Sequence, residues 1–192
     1  MNKGRLEAFS DGVIAVIITI MVLEMKPPHS PSPAALLASA PVFLTYLLSF
    51  VLVGIYWNNH HHLMHAVHSV NGAILWANLH LLFWLSLAPF VTAWMSDTHW
   101  APVPVAAYGV VLLCAAIAYF VLTRVLLSAH EKDSRLAKAL GSDVKGKASM
   151  LLYAVAIPAA FVHPLIACSL YVMVAVMWLV TDRRFERMLM EG

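Results

Sequence analysis

Apolar residues come in long runs along this chain, separated by short polar or proline-rich breaks. Each run is close to the ~20 residues that an α-helix needs to cross a hydrocarbon core. The first covers about residues 6–25 and closes at Pro27, Pro28, Pro31 and Pro33. A second covers about 35–57 and ends in Asn58, Asn59 and a cluster of histidines. A third covers about 73–95, with Pro89 as the expected kink. The fourth, about 103–127, begins just after Pro102 and gives way to a charged connection between Glu131 and Lys147. The last apolar region, Ala148 to Thr181, is 34 residues long, too long for one ordinary span and enough for two short ones. His163 and Pro164 supply a turn, which predicts a fifth helix over about 148–162, with Pro158 inside it, and a sixth over about 164–181. The expectation is an all-α membrane protein, a single domain of six transmembrane helices over residues 1–192.

Composition and charge sharpen this picture. Hydrophobic residues make up 61% and charged residues 11% of the chain, so its polar side chains cannot cover a water-exposed globule of this size. The 12 Lys and Arg against 10 Asp and Glu give no general attraction to nucleic acid. Their placement is informative. With six spans, every basic residue except Lys26 falls on one side: Lys3 and Arg5, the connection carrying Arg124, Lys132, Arg135, Lys138, Lys145 and Lys147, and the tail carrying Arg183, Arg184 and Arg187. Basic residues collect in cytoplasmic loops, so both termini are expected in the cytoplasm, and a single short unit without a targeting segment fits the plasma membrane. Five spans would move the three tail arginines to the opposite face. A cleaved leader is the rival reading of the N-terminus, but the one small-residue site, Ala38-Ser39-Ala40, lies beyond four prolines, and an uncleaved span is expected. Cys114 and Cys168 lie inside apolar stretches and read as small buried hydrophobes.

The first span carries the most chemistry. At helical spacing Gly12, Val16, Thr19, Ile20 and Leu23 form one stripe, apolar but for a single hydroxyl. Plain packing and pore lining both produce such a stripe. Ser10 and Asp11 fall to either side of it and are expected to face neighbouring helices. A carboxylate near the hydrocarbon edge is costly and calls for a partner or a function. Arg5, six residues earlier, lies on another side of the same helix, so the partner of Asp11 must come from elsewhere. His60, Asn59 and Asn78 sit at comparable depth.

The segment Arg5-Leu6-Glu7-Ala8-Phe9-Ser10-Asp11 resembles the RxxxFSD signature that opens the first helix of the transmembrane protein 175 potassium channels. Trp57-Asn58-Asn59-His60 is similar to that family's second-helix pattern, and Asn78 with Pro89-Phe90 to its third-helix features. The resemblance implies a homotetramer in the lipid bilayer, without reentrant loops and with no cofactor, in which four first helices line a central pore for potassium ions. It also implies a hydrophobic constriction at Val16, Ile20 and Leu23 with the hydroxyl of Thr19 beside it, and a polar network around the pore helix drawn from Arg5, Phe9, Ser10, Asp11, Trp57, His60 and Asn78.

The function expected on these grounds is a potassium-permeable, modestly selective cation channel gated by hydrophobic rings. The chain carries neither a TVGYG-type filter nor the arginine spacing of a voltage sensor. A proton-coupled transporter using Asp11 and His60 is the alternative, although no internal repeat is evident. Catalysis is not expected, because Asp11 is the only acid well inside a span and nothing completes a triad, a carboxylate pair or a metal centre. Five of the ten histidines crowd the end of the second span. If the helix continues, His61, His65 and His68 share a face, a candidate for a metal site. A solvated or proton-sensitive cluster is the simpler reading.

Overall fold

The computed structural model describes residues 3–65, 67, 69–129 and 143–179, and every regular element among them is an α-helix. In chain order these are α1 (Lys3–Leu23), α2 (Pro33–Ala38), α3 (Ala40–His65), α4 (Gly72–Ser86), α5 (Ala88–Asp97), α6 (Pro102–Ala129), α7 (Val144–Val162) and α8 (Pro164–Leu179). Five stretches are long and apolar enough to cross a membrane: α1, α3, α4 with α5, α6 and α7. α8 is apolar but shorter, at 16 residues. The sixth expected span, about 164–181, continues past the last described residue. The expected basic positions Lys132, Arg135, Lys138, Arg183, Arg184 and Arg187 also lie outside the described residues.

Local chemistry explains the breaks. Ser32 caps α2 by accepting the Ala35 N–H at 3.2 Å, and the chain restarts as α3 after the Ser39 cap. The helix expected over about 35–57 is therefore α2 and α3, with α3 running on to His65. No glycine or proline interrupts 55–65, and Leu63 and Met64 at its end are fully buried, so the histidine-rich stretch stays helical. Pro89 has no N–H to return to the preceding turn, and the third span divides at Leu87 into α4 and α5. Between α5 and α6 both His99 and Trp100 have positive φ, 51° and 59°. Two bonds hold this left-handed pair: the Trp100 backbone N–H donates to the Met95 carbonyl at 3.0 Å, and its indole N–H to Thr45 Oγ1 at 2.8 Å. His163, extended, and Pro164 turn the chain from α7 into α8.

The helices enclose two apolar cores. One gathers α1, the end of α3, α4 and the C-terminal half of α6 around Ile14, Ile17, Leu63, Ile74, Leu81 and Leu122. The other gathers the middle of α3, α5, the N-terminal half of α6, α7 and α8 around Val105, Tyr108, Tyr153, Ala156, Ala160 and Tyr171. Small residues let α6, α7 and α8 approach closely. At Gly109 the fit is tightest: a methyl group there would overlap the Tyr171 hydroxyl, which itself donates to the Val105 carbonyl at 3.0 Å. Gly54, by contrast, has open space where its Cβ would be.

These two glycines make a controlled pair. Gly109→Ala must displace a hydrogen-bonded tyrosine and is expected to destabilise the protein by about 1–3 kcal/mol, the usual cost of overpacking. Gly54→Ala is expected to be neutral or slightly stabilising, since alanine favours helix. Thermal unfolding of the detergent-solubilised variants, read side by side, checks both.

Candidate functional site

α1 presents two faces that the bundle treats differently. Leu6, Ser10, Ile14, Ile17 and Met21 are buried against α3, α4 and α5. On the opposite side Val16 is 54%, Ile20 39% and Leu23 79% exposed, and Gly12 and Thr19 are exposed with them. The stripe expected from helical spacing is thus the face of α1 left uncovered by its own chain. Thr19 donates its hydroxyl to the Val16 carbonyl at 2.9 Å, which leaves the hydroxyl oxygen as an acceptor on that face. An open glycine at position 12, with nothing within contact of its missing Cβ, widens the face about two turns nearer the N-terminus.

A set of polar bonds fixes which way α1 turns. Ser10 is fully buried, donates to the Leu6 carbonyl at 2.9 Å and accepts from Asn78 Nδ2 at 2.9 Å. Asn78, also fully buried, meets His60 through its Oδ1, 2.7 Å from His60 Nε2. A chain of side chains thereby joins α1 to α4 and α4 to α3 inside an apolar core. With Asn78 Oδ1 as acceptor, His60 Nε2 carries the proton. On the other flank of α1, Trp57 Nε1 of α3 donates to Asp11 Oδ1 at 3.0 Å. At the end of the helix Lys3 donates to the His65 carbonyl at 3.1 Å and lies 4.0 Å from Glu7.

The structure therefore brings together Ser10, Asn78 and His60 as one group and Asp11 with Trp57 as another. It does not join Asp11 to His60. Asn59 is not a partner of Asp11 either: its amide N–H returns to the Ile55 carbonyl of its own helix at 2.9 Å. Arg5 and Phe9 stand apart from both groups within the chain. Both are exposed, Phe9 at 53%, and at 100° per residue both fall on the line of Gly12, Val16, Ile20 and Leu23. Arg5 makes no hydrogen bond or ion pair among the described residues. The same helical arithmetic, extended about two turns toward the N-terminus, would have placed these two on the stripe from the sequence.

Sequence reading missed two features. A groove of about 550 Å³ runs beside α1, between Ile20 and Glu24 on one wall and Pro89, Phe90, Trp94 and Asp97 on the other. It depends on the angle between α4 and α5, which no local pattern specifies. The second is an aromatic ladder on α3: His61 stacks on Trp57 at 6.1 Å and on His65 at 6.1 Å. Its spacing of four residues was visible, but not the rotamers that stack it. His68 lies outside the described residues, and among the described residues no three His, Cys, Asp or Glu side chains converge on a metal position.

Residues 5–89 match the family described as endosomal/lysosomal potassium channel TMEM175. A protein of Chryseobacterium sp. named as a potassium channel is 52% identical over 192 residues, covering all of both chains. A potassium channel of Streptomyces collinus is 36% identical over 128 residues, 62% of each chain. Among solved structures, a lysosomal potassium-selective channel TMEM175 homolog from Chamaesiphon minutus superposes with a TM-score of 0.79 at 28% identity, covering 93% of this chain and 96% of that one. These proteins are ion channels, not enzymes. With its several membrane-crossing helices and its full-length likeness to the Chryseobacterium protein, this chain is a multi-pass membrane protein that belongs to the TMEM175 potassium channel family.

Proposed function

We propose that the chain is one subunit of a potassium-permeable cation channel in the plasma membrane, with both termini in the cytoplasm. Four copies meet with their α1 helices around a shared axis. The observation that carries this reading is the uncovered face of α1, where Val16, Ile20 and Leu23 project from a helix whose other face is locked into the bundle by buried hydrogen bonds.

Rings of these side chains form the gate. A cation stripped of water gains nothing from methyl groups, so a narrow apolar ring blocks ions by excluding water rather than by filling the pore. When the rings widen, potassium passes partly hydrated. It gives up its hydration shell at lower cost than sodium does, and the Thr19 oxygens replace some of the lost contacts, which makes the selectivity modest. Arg5 and Phe9 lie on the same line at the cytoplasmic mouth. In this reading the Ser10, Asn78 and His60 chain and the bond from Trp57 to Asp11 set the rotation of α1 and hence the ring diameter.

The transporter reading asks Asp11 and His60 to work together, and the two make separate bonds to Trp57 and Asn78. Potassium currents that persist without a proton gradient distinguish the channel from it.

Single-channel recording of reconstituted protein tests the gate. Ile20→Asn is expected to wet the ring and raise open probability or conductance several-fold; an unchanged current removes Ile20 from the gate. Thr19→Ala is expected to move the reversal potential toward zero under opposed potassium and sodium gradients, and an unmoved potential removes Thr19 from selectivity. Asn78→Ala strands the Ser10 and His60 side chains in the core. Interhelical hydrogen bonds in membranes average about 0.6 kcal/mol and reach about 1.7, so a loss of about 1–2 kcal/mol for the two bonds together is expected in thermal unfolding, with a shift in gating beside it.

A further inference from the structure

Away from α1, the helices α3, α6, α7 and α8 leave a cavity of about 40 Å³ at the end of the bundle where α1 begins. Its wall is aromatic, with Tyr56, Tyr119, Phe120, Tyr153 and Trp178, and Asp143 stands at the start of α7 on its rim. Tyr153 is only 2% exposed, yet its hydroxyl makes no hydrogen bond among the described residues, and neither does that of Tyr56. Both tyrosines line the cavity, and neither hydroxyl is sealed by packed protein as the unpartnered Thr123 hydroxyl is, so a group placed in the cavity can reach them. Neighbouring polar groups are already engaged: Tyr119 donates to the Asn59 carbonyl at 3.3 Å, and the Trp178 indole N–H donates to Ser149 Oγ at 2.9 Å. Asn59 spends its amide N–H on Ile55, leaving its amide oxygen unbonded among the described residues.

What remains in the cavity is a set of acceptors and aromatic faces around one carboxylate. That combination suits a cation. The rings supply negative π surfaces, the hydroxyls and the amide supply lone pairs, and Asp143 supplies the counter-charge. One aromatic ring already shows the preference, since Lys145 places its ammonium 5.8 Å from the Trp178 ring centre. Burial raises the Asp143 carboxyl pKa by penalising its charged form, against the opposing pull of the Gly146 N–H and Lys147, and a cation paired with the carboxylate would offset that penalty. Size narrows the choice further. At about 10–15 Å³ per water-sized group, the space admits an ammonium and about two methylenes, but not a trimethylammonium with its arm.

We propose that this cavity binds a primary ammonium on a two-carbon arm, the chemistry shared by an ethanolamine phospholipid headgroup and a free small alkylamine. Asp143 pairs with the ammonium through one N–H, and the two that remain are accepted from among the Tyr56 and Tyr153 hydroxyls and the Asn59 amide oxygen. Lys147, one turn along α7 from Asp143, supplies positive charge beside the rim for a phosphate attached to the arm. The site is separate from the proposed pore face and does not depend on it.

The test uses the full chain purified in detergent and follows its thermal midpoint against added ligand, a readout independent of ion flux. Dioleoyl phosphatidylethanolamine, dioleoyl phosphatidylcholine and ethylammonium chloride are titrated separately. Saturable stabilisation by the ethanolamine lipid but not by the choline lipid identifies a headgroup site; stabilisation by ethylammonium alone identifies a free amine site. Asp143→Asn keeps the helix cap, as asparagine caps as well as aspartate, and is expected to weaken binding about tenfold, the scale of one charge-assisted hydrogen bond. Tyr153→Phe, which keeps the ring and removes the hydroxyl, is expected to weaken it a few-fold. Equal effects of the two lipids with no effect of ethylammonium overturn the proposal. So does binding that is unchanged in both variants.

Discussion

The arrangement rests on one requirement: in a hydrocarbon solvent a buried polar side chain must find its partner inside the protein. Ser10 and Asn78 are both sealed from outside contact, and only one rotation of α1 lets the serine reach the asparagine while the asparagine reaches His60. An apolar face alone would tolerate sliding and turning, because leucine against isoleucine costs little wherever it falls. The hydrogen-bonded chain removes that freedom. Asp11, held by Trp57 on the opposite flank, removes it a second time.

Once the rotation is fixed, the uncovered face is fixed as well. Val16, Ile20 and Leu23 are exposed because the residues set against them around the helix are committed to the core. A face of this kind in a monomer is satisfied by lipid or by another copy of the chain. Gly12, Thr19 and the charged Arg5 on the same line suit acyl chains poorly and a water-containing axis well. The proposed pore face is in this sense a by-product of the polar bracket, and changes to the bracket bear on the pore without touching an ion.

The sequence makes some of this legible and hides the rest for definite reasons. The apolar runs and their proline breaks show where helices lie, because length and hydropathy are local properties; the turn at His163 and Pro164 is of this kind. The stripe on α1 follows from period alone. Partners do not. Asp11 could have met Asn59, His60 or Asn78 on depth, and only packing selects Trp57, a residue on the edge of the same sequence cluster. The extension of α3 to His65 was hidden because histidine and asparagine read as interfacial, whereas the buried Leu63 and Met64 keep that last stretch in the fold. The cavity near Asp143 draws on four helices and could not be seen in any one of them.

α3 is where these separate parts meet. It crosses both cores, and within about one turn it carries Tyr56 and Asn59 toward the aromatic cavity, Trp57 toward α1 and His60 toward Asn78 of α4. At 100° per residue the centres of these two pairs lie about a quarter of a turn apart, so they occupy adjoining faces rather than opposite ones. A rotation or shift of α3 by a fraction of a side chain would therefore be felt on both. Close-packed interiors transmit such shifts because they have few voids to absorb them. The aromatic cavity is one of those voids, so a group filling it would limit the movement of α3 beside Trp57, which bonds the first helix, and His60, which reaches it through Asn78.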